Sequence, residues 1–138
     1  MMSNNVRNYN CGFSDYAKHK FQSWDFWIKF KIANPFDADI IKRILRKKST
    51  DSRILDYEKI KHICMERIRQ FENNENVFSL KYNEPEDVTL NEMLEDYDLT
   101  EDDVQMIMKI LYPSENRISD YEYIIKLCEK RINTLKGE

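Results

Sequence analysis

A chain of 138 residues with 22 Lys and Arg, 25 Asp and Glu and a net charge of −3 can form one domain or two small lobes, and it carries no basic footprint for nucleic acid. Two glycines are too few for the turns of a many-stranded sheet, whereas a charged fraction of 34% suits helices with solvated outer faces, so an all-α fold is expected. No apolar run approaches the roughly 20 residues of a membrane span, and the first residues lack the apolar core of a signal peptide, so no membrane insertion and a cytoplasmic setting are expected.

Residues 1–12 are Asn-rich and predict no regular element. From Phe13 to Ile32 the chain carries Phe13, Tyr16, Phe21, Trp24, Phe26, Trp27 and Phe30, enough rings at helical spacing to encircle one or two short helices. Most should fill the core of the first half. Trp24 and Trp27 are candidates to grip a partner, because aromatic anchors dominate many interfaces. Asn34-Pro35 is a good cap and first-turn pair that opens a helix over 35–47. A polar loop, Lys48 to Arg53, leads to a second helix over 56–71. The polar residues Glu72 to Asn76 divide the chain into an amino-terminal lobe, 1–71, and a carboxy-terminal lobe, 72–138.

Val77, Phe78 and Leu80 form a short apolar patch before a turn from Tyr82 to Asp87. Val88 to Tyr97 starts another helix, with Thr89 and Glu92 as its capping pair. Thr100 caps the next, with Glu101, Asp102 and Asp103 at the positive end of the helix dipole and an apolar face of Val104, Ile107, Met108 and Leu111. Pro113, Ser114 and Asn116 break the pattern. Ser119 with Glu122 then reads as a capping box for a last helix that buries Tyr123, Ile124, Leu127, Cys128 and Ile132.

The chain repeats itself. Sliding it by 64 residues lays Arg53 to Ile68 (RILDYEKIKHICMERI) on Arg117 to Ile132 (RISDYEYIIKLCEKRI), with nine of sixteen positions identical. At the same offset Asp37, Asp39, Ile40 and Ile44 fall on Glu101, Asp103, Val104 and Met108. Internal repetition of this kind reads as two related helix-loop-helix halves. Cys11, Cys64 and Cys128 are odd in number and lack metal-ligand spacing, and two of them occupy equivalent repeat positions, which predicts buried, reduced thiols in a reducing compartment.

In three places a β-branched residue precedes a glutamate by four: Ile54 and Glu58, Val88 and Glu92, Ile118 and Glu122, with the glutamates 34 and 30 residues apart. An EF-hand loop has that pattern at its eighth and twelfth positions. On these residues, and on the run VFSLKYNEPEDVTLNEMLEDYDLTEDDVQMIMKIL, the chain resembles the calmodulin and myosin light-chain family. The resemblance implies EF-hand-like helix-loop-helix pairs in two lobes. It does not extend to the calcium ligands. Counting back from Glu92 places Lys81, Asn83, Pro85 and Glu86 at positions 1, 3, 5 and 6; the loop before Glu122 offers Leu111, Pro113, Glu115 and Asn116; the one before Glu58 offers Lys47, Ser49, Asp51 and Ser52. None supplies the oxygens or the glycine that calcium needs, so no metal site is expected, and the three glutamates read as helix-capping residues.

What such a fold retains is an apolar groove for an amphipathic helix. The resemblance implies a calcium-independent, cytoskeleton-associated light chain that clamps an IQ-type helix of a myosin heavy chain, with Leu80, Val88, Met93, Val104, Met108, Leu111, Ile118, Tyr123 and Leu127 lining the groove. The alternative is a small helical regulator or inhibitor, of viral type for instance, whose hairpins have no EF-hand role. A short ladder pairing Val88 with Ile118 supports the first, and its absence a plain bundle. With only His19 and His62, no glycine-rich phosphate loop and no nucleophile-base pattern, no enzyme and no cofactor are expected.

Overall fold

The computed structural model describes residues 19–46 and 49–137. The expectations for residues 1–12, for Phe13 and Tyr16, for Cys11 and for the loop residues Lys47 and Lys48 lie outside them. The described residues form α1 (Ser23–Lys29), α2 (Pro35–Leu45), α3 (Thr50–Glu72), α4 (Leu90–Leu94), α5 (Glu101–Leu111) and α6 (Arg117–Leu135). The protein is all-α, as expected, and no described residue is in a strand.

Local chemistry sets the helix starts. The Asn34 side chain accepts hydrogen bonds from the amides of Phe36 and Asp37, with Pro35 in the first turn where no amide partner is needed. Thr100 and Asp103 close a capping box on α5, and Thr89 accepts from the Glu92 amide at the start of α4. The expected helix from Val88 onward is only the five residues of α4. Tyr97 beyond it donates its hydroxyl to the Phe21 carbonyl at 2.7 Å, which fastens the turn to the start of the chain's described part.

The second helix of each half begins earlier than expected. Ser49 caps α3, so Thr50 to Arg53 are helical rather than loop. Asn116 caps α6 by accepting from the Ser119 amide at 3.1 Å, so the Ser119–Glu122 box does not form and Glu122 is exposed. Ile54 with Glu58 and Ile118 with Glu122 therefore lie inside helices, and no bridge joins Val88 to Ile118 among the described residues. An arginine locks each early start. Arg53 donates to the carbonyls of Arg43 and Arg46, and Arg117 to those of Lys109 and Ile110, so each final helix is tied to the end of the helix before it.

Equivalent positions are buried alike in the two halves. Tyr57, Ile60 and Cys64 of α3 and Tyr121, Ile124 and Cys128 of α6 follow the offset of 64 and are all fully buried. In the helix before, Asp37, Ile40, Ile41, Ile44 and Leu45 correspond to Asp103, Met106, Ile107, Ile110 and Leu111, an offset of 66. The spacing from Leu111 to Arg117 is two residues shorter than that from Leu45 to Arg53, and a gapless comparison therefore misplaces the α5 face. α3 packs along α6, and residues 1–71 and 72–138 contribute to one contiguous core.

Candidate functional site: an open cleft and its filled counterpart

The motif Arg-x-x-Asp-Tyr, present once in each half, builds two buried polar clusters that are exchanged between the halves. In one, Asp37 of α2 accepts from the Tyr121 hydroxyl at 2.7 Å and from Arg117 at 3.0 Å, both of α6, and from the Tyr82 hydroxyl at 2.5 Å. In the other, Asp103 of α5 accepts from the Tyr57 hydroxyl at 2.5 Å and forms an ion pair with Arg53 at 3.0 Å, both of α3. Each half thus supplies the arginine and tyrosine that neutralise and hydrogen-bond the other half's buried carboxylate.

One helical turn or more beyond the tyrosines lies a second equivalent pair, Arg67 and Arg131, and here the halves differ. Arg67 is sealed in. Its Nε donates to the Tyr121 hydroxyl at 3.0 Å and its Nη1 to Gln70 at 2.5 Å, while the rings of Phe36, Phe71, Phe78 and Tyr121 surround its guanidinium at 4.9–5.8 Å. Phe78 belongs to the extended segment after α3, which lays its ring against Phe36 and its Tyr82 on Asp37.

Arg131 stands beside the Tyr57 hydroxyl, but its Nε is buried without a hydrogen-bond partner among the described residues. The residue equivalent to Gln70 is Thr134, which turns to the Lys130 carbonyl of its own helix at 2.9 Å. No described aromatic ring stacks on Arg131. Among the described residues no segment covers it, and there is an open cleft of about 250 Å³, floored by Ile44, Leu99 and Leu135 and edged by Arg53, Asp103 and Arg131.

Sequence reasoning placed the site elsewhere. Met93 and Leu111 are fully buried in the core, Val88, Val104 and Leu127 are half-buried against it, and Ile118 is half-buried away from it. Met108 is 41% exposed and Tyr123 40%, with Lys109 over the Tyr123 ring, so these two face solvent rather than a groove. The α5 face is turned by about one position because Asp103 must point inward to meet Arg53 and Tyr57, which takes Met106 and Ile110 into the core with it. Leu80, 52% exposed, meets Ile118 at a shallow depression that also includes Phe71 and Arg117. On α1, Trp24 is 45% exposed, whereas Trp27 is half-buried and donates its indole N–H to the Ala38 carbonyl at 3.1 Å. The predicted residues do not converge on one surface. The cleft residues Arg53, Tyr57, Asp103 and Arg131 were missed, although the identity of Arg-x-x-Asp-Tyr in the two repeats signalled them: a surface repeat needs only its polarity, not the same arginine and tyrosine twice.

The ionisable groups here are tied down rather than poised for chemistry. Burial, reinforced by Asp103 against Arg53, pushes the Tyr57 phenol up to about 12. Burial and then Asp37 raise Tyr82 and Tyr121 well above the usual range. Burial raises the Cys64 thiol and takes Cys128 up to about 12. His19 stacks on Tyr97 and His62 is on the exposed side of α3, both outside the cleft. Among the described residues no group of three or more His, Cys, Asp and Glu could hold a metal ion, and no helix is long and apolar enough to cross a membrane.

These raised values make stability depend on alkali. A group whose pKa rises on folding contributes stabilisation that is whole below its unfolded value and is lost as pH climbs through its folded value. The urea midpoint should therefore hold to about pH 9, where thiols of the unfolded chain begin to ionise, and fall towards pH 12. Absorbance at 295 nm should show Tyr57, Tyr82 and Tyr121 titrating only as the fold is lost. A native titration of all tyrosines near pH 10 would contradict the buried phenols.

No protein-family model, curated protein or solved structure matches the chain.

Proposed function

We propose that the chain is a calcium-independent protein-binding module without catalytic activity, a small helical regulator that engages its partner at the Arg131 cleft. The observation that carries this reading is the asymmetry of an otherwise repeated structure: the edge at Arg67 is covered by the chain's own segment, and among the described residues the corresponding edge at Arg131 is open with a buried Nε unpartnered. A buried donor left without an acceptor costs about 1–3 kcal/mol, so a ligand that supplies one gains that much in specificity. Apolar side chains on the floor and two arginines on the rim suit a peptide better than a small polar metabolite.

The second reading, a calmodulin-like light chain that clamps an IQ-type helix, draws on the family resemblance and on the duplicated helical hairpins. Against it stand the early starts of α3 and α6 and the burial of Met93 and Leu111, because a groove there would require the shared core to open.

Pull-down with the full chain from the source cell, in calcium and in EGTA, separates these. The partner should be retained equally in both, and Leu135→Asp at the cleft should reduce retention about tenfold, while Met108→Asp on the outer face leaves it unchanged. Loss with Met108→Asp alone, on a myosin heavy chain, would favour the light chain. Retention only with calcium would defeat both readings.

A further inference from the structure

The repeat says what the open cleft is shaped to receive. On the filled side, Phe78 and Tyr82 of the segment after α3 do the covering. Phe78 places its ring 5.4 Å from the Arg67 guanidinium and Tyr82 gives its hydroxyl to Asp37, while Leu80, half exposed between them, lines the depression with Phe71 and Arg117. The three alternate along the segment, which bends at Phe78 and Leu80. Backbone ties fix its two ends: the Asn83 amide donates to the Phe30 carbonyl at 3.0 Å, and the Glu75 amide to the Gln70 carbonyl at 2.7 Å.

The open side keeps the polar part of the receiving surface. Arg131 stands for Arg67, Leu135 for Phe71, Arg53 for Arg117 and Asp103 for Asp37. Two rings are missing from it, because Asp102 replaces Phe36 and Leu135 replaces Phe71. The Arg131 guanidinium therefore lacks the aromatic flanks that Arg67 has, and a ligand must bring its own. Asp103 Oδ2 is taken by the Thr100 amide and Arg53, whereas Oδ1 accepts one hydrogen bond, from Tyr57, and a carboxylate oxygen has room for a second. The Arg131 Nε lacks an acceptor, and the carbonyls of an extended backbone supply acceptors at regular intervals.

We propose that the Arg131 cleft binds an extended segment of a partner protein with the pattern aromatic-x-aliphatic-x-tyrosine, its ring over Arg131, its aliphatic side chain on Leu135 and its tyrosine hydroxyl on Asp103, as Phe78, Leu80 and Tyr82 lie on the other half. This rests on the protein-binding reading above and specifies the ligand for it.

The probe is a fluorescein-labelled peptide of the sequence Asn76–Asn83, NVFSLKYN, titrated with the full chain and read by polarisation. Saturable one-to-one binding is expected, weakened about tenfold or more when the peptide's Phe or Tyr becomes Ala, and similarly by Arg131→Ala in the protein. The peptide variants leave the protein untouched, so the outcome stands even if an Arg131 variant folds poorly. Three results would overturn the proposal: no saturable binding, binding that follows Phe36→Ala rather than Arg131→Ala, which reports displacement of the chain's own Phe78 segment, or tighter binding by about tenfold in a Phe13→Ala, Tyr16→Ala chain, which would assign the cleft to the protein's own amino-terminal residues. A partner that depends on Leu135 while the peptide fails leaves the protein-binding reading standing and removes only this ligand. A partner indifferent to Leu135 removes the reading itself.

Discussion

Arg117→Met is expected to destabilise the protein by about 3–5 kcal/mol, the usual cost of removing one partner of a buried ion pair. The guanidinium donates to Asp37 and Asp120 at 3.0 and 3.2 Å and to the carbonyls of Lys109 and Ile110 at 2.6 and 3.0 Å. Methionine fills much of the volume and makes none of these bonds. Two buried carboxylates then lose their main cation, and the turn before α6 loses the tie that starts the helix at Arg117. The damage comes from the orphaned charge more than from the lost attraction, so adding Asp37→Asn should restore part of the loss. Urea unfolding of the two single variants and the double variant measures this as a coupling energy. Strict additivity would mean that Asp37 and Arg117 do not depend on each other.

Ile124→Ala on α6 and Ile60→Ala on α3 should each cost about 2–5 kcal/mol, because both side chains are fully buried and the core around them relaxes only partly into the space. Leu55→Ala on the exposed side of α3 should cost far less. The form of the unfolding curve carries more information than its midpoint. If residues 1–71 and 72–138 were independent lobes, each substitution would lower one of two transitions. A shared core predicts a single transition that moves as a whole with either change, by tryptophan fluorescence and by far-UV circular dichroism alike. Two separated transitions would mean that α3 and α6 do not stabilise each other.

The amino-acid sequence carries the helical class, the caps at Asn34, Thr89 and Thr100 and the duplication of α3 in α6 without ambiguity, because caps and periodicity are local and a repeat needs no structure to be seen. The starts of α3 and α6 were hidden because Thr50 to Arg53 and Asn116 to Glu122 are polar, and polarity alone does not separate a loop from the first turn of a helix. What decides between them is Arg53 and Arg117 reaching the carbonyls of the preceding helix, a contact across a turn. The facing of α5 was hidden for a related reason. Val104, Met108 and Leu111 make as good an apolar stripe as Met106, Ile107 and Ile110, and the choice falls to the second set because Asp103 has a buried arginine and tyrosine waiting for it in the other half. A carboxylate that points inward looks like a surface residue until its partners are known. The cleft was least legible of all, since it consists of what one half lacks relative to the other among the described residues: a ring in place of Asp102, and a segment across Arg131.

The crosswise ties between the halves have an ancestry written into them. A lone helix-loop-helix carrying Arg-x-x-Asp-Tyr would leave the aspartate of its first helix, the counterpart of Asp37 and Asp103, without that arginine and tyrosine, and could complete the set only against another copy of itself, residue i meeting j and j meeting i as in a two-fold homodimer. The present chain makes that reciprocal contact within one molecule, as two subunits do once a gene has doubled and the copies have been joined. In a homodimer every substitution strikes both edges at once. After fusion each edge mutates alone, so one could be closed by the linker that joins the copies while the other was left to acquire a use of its own.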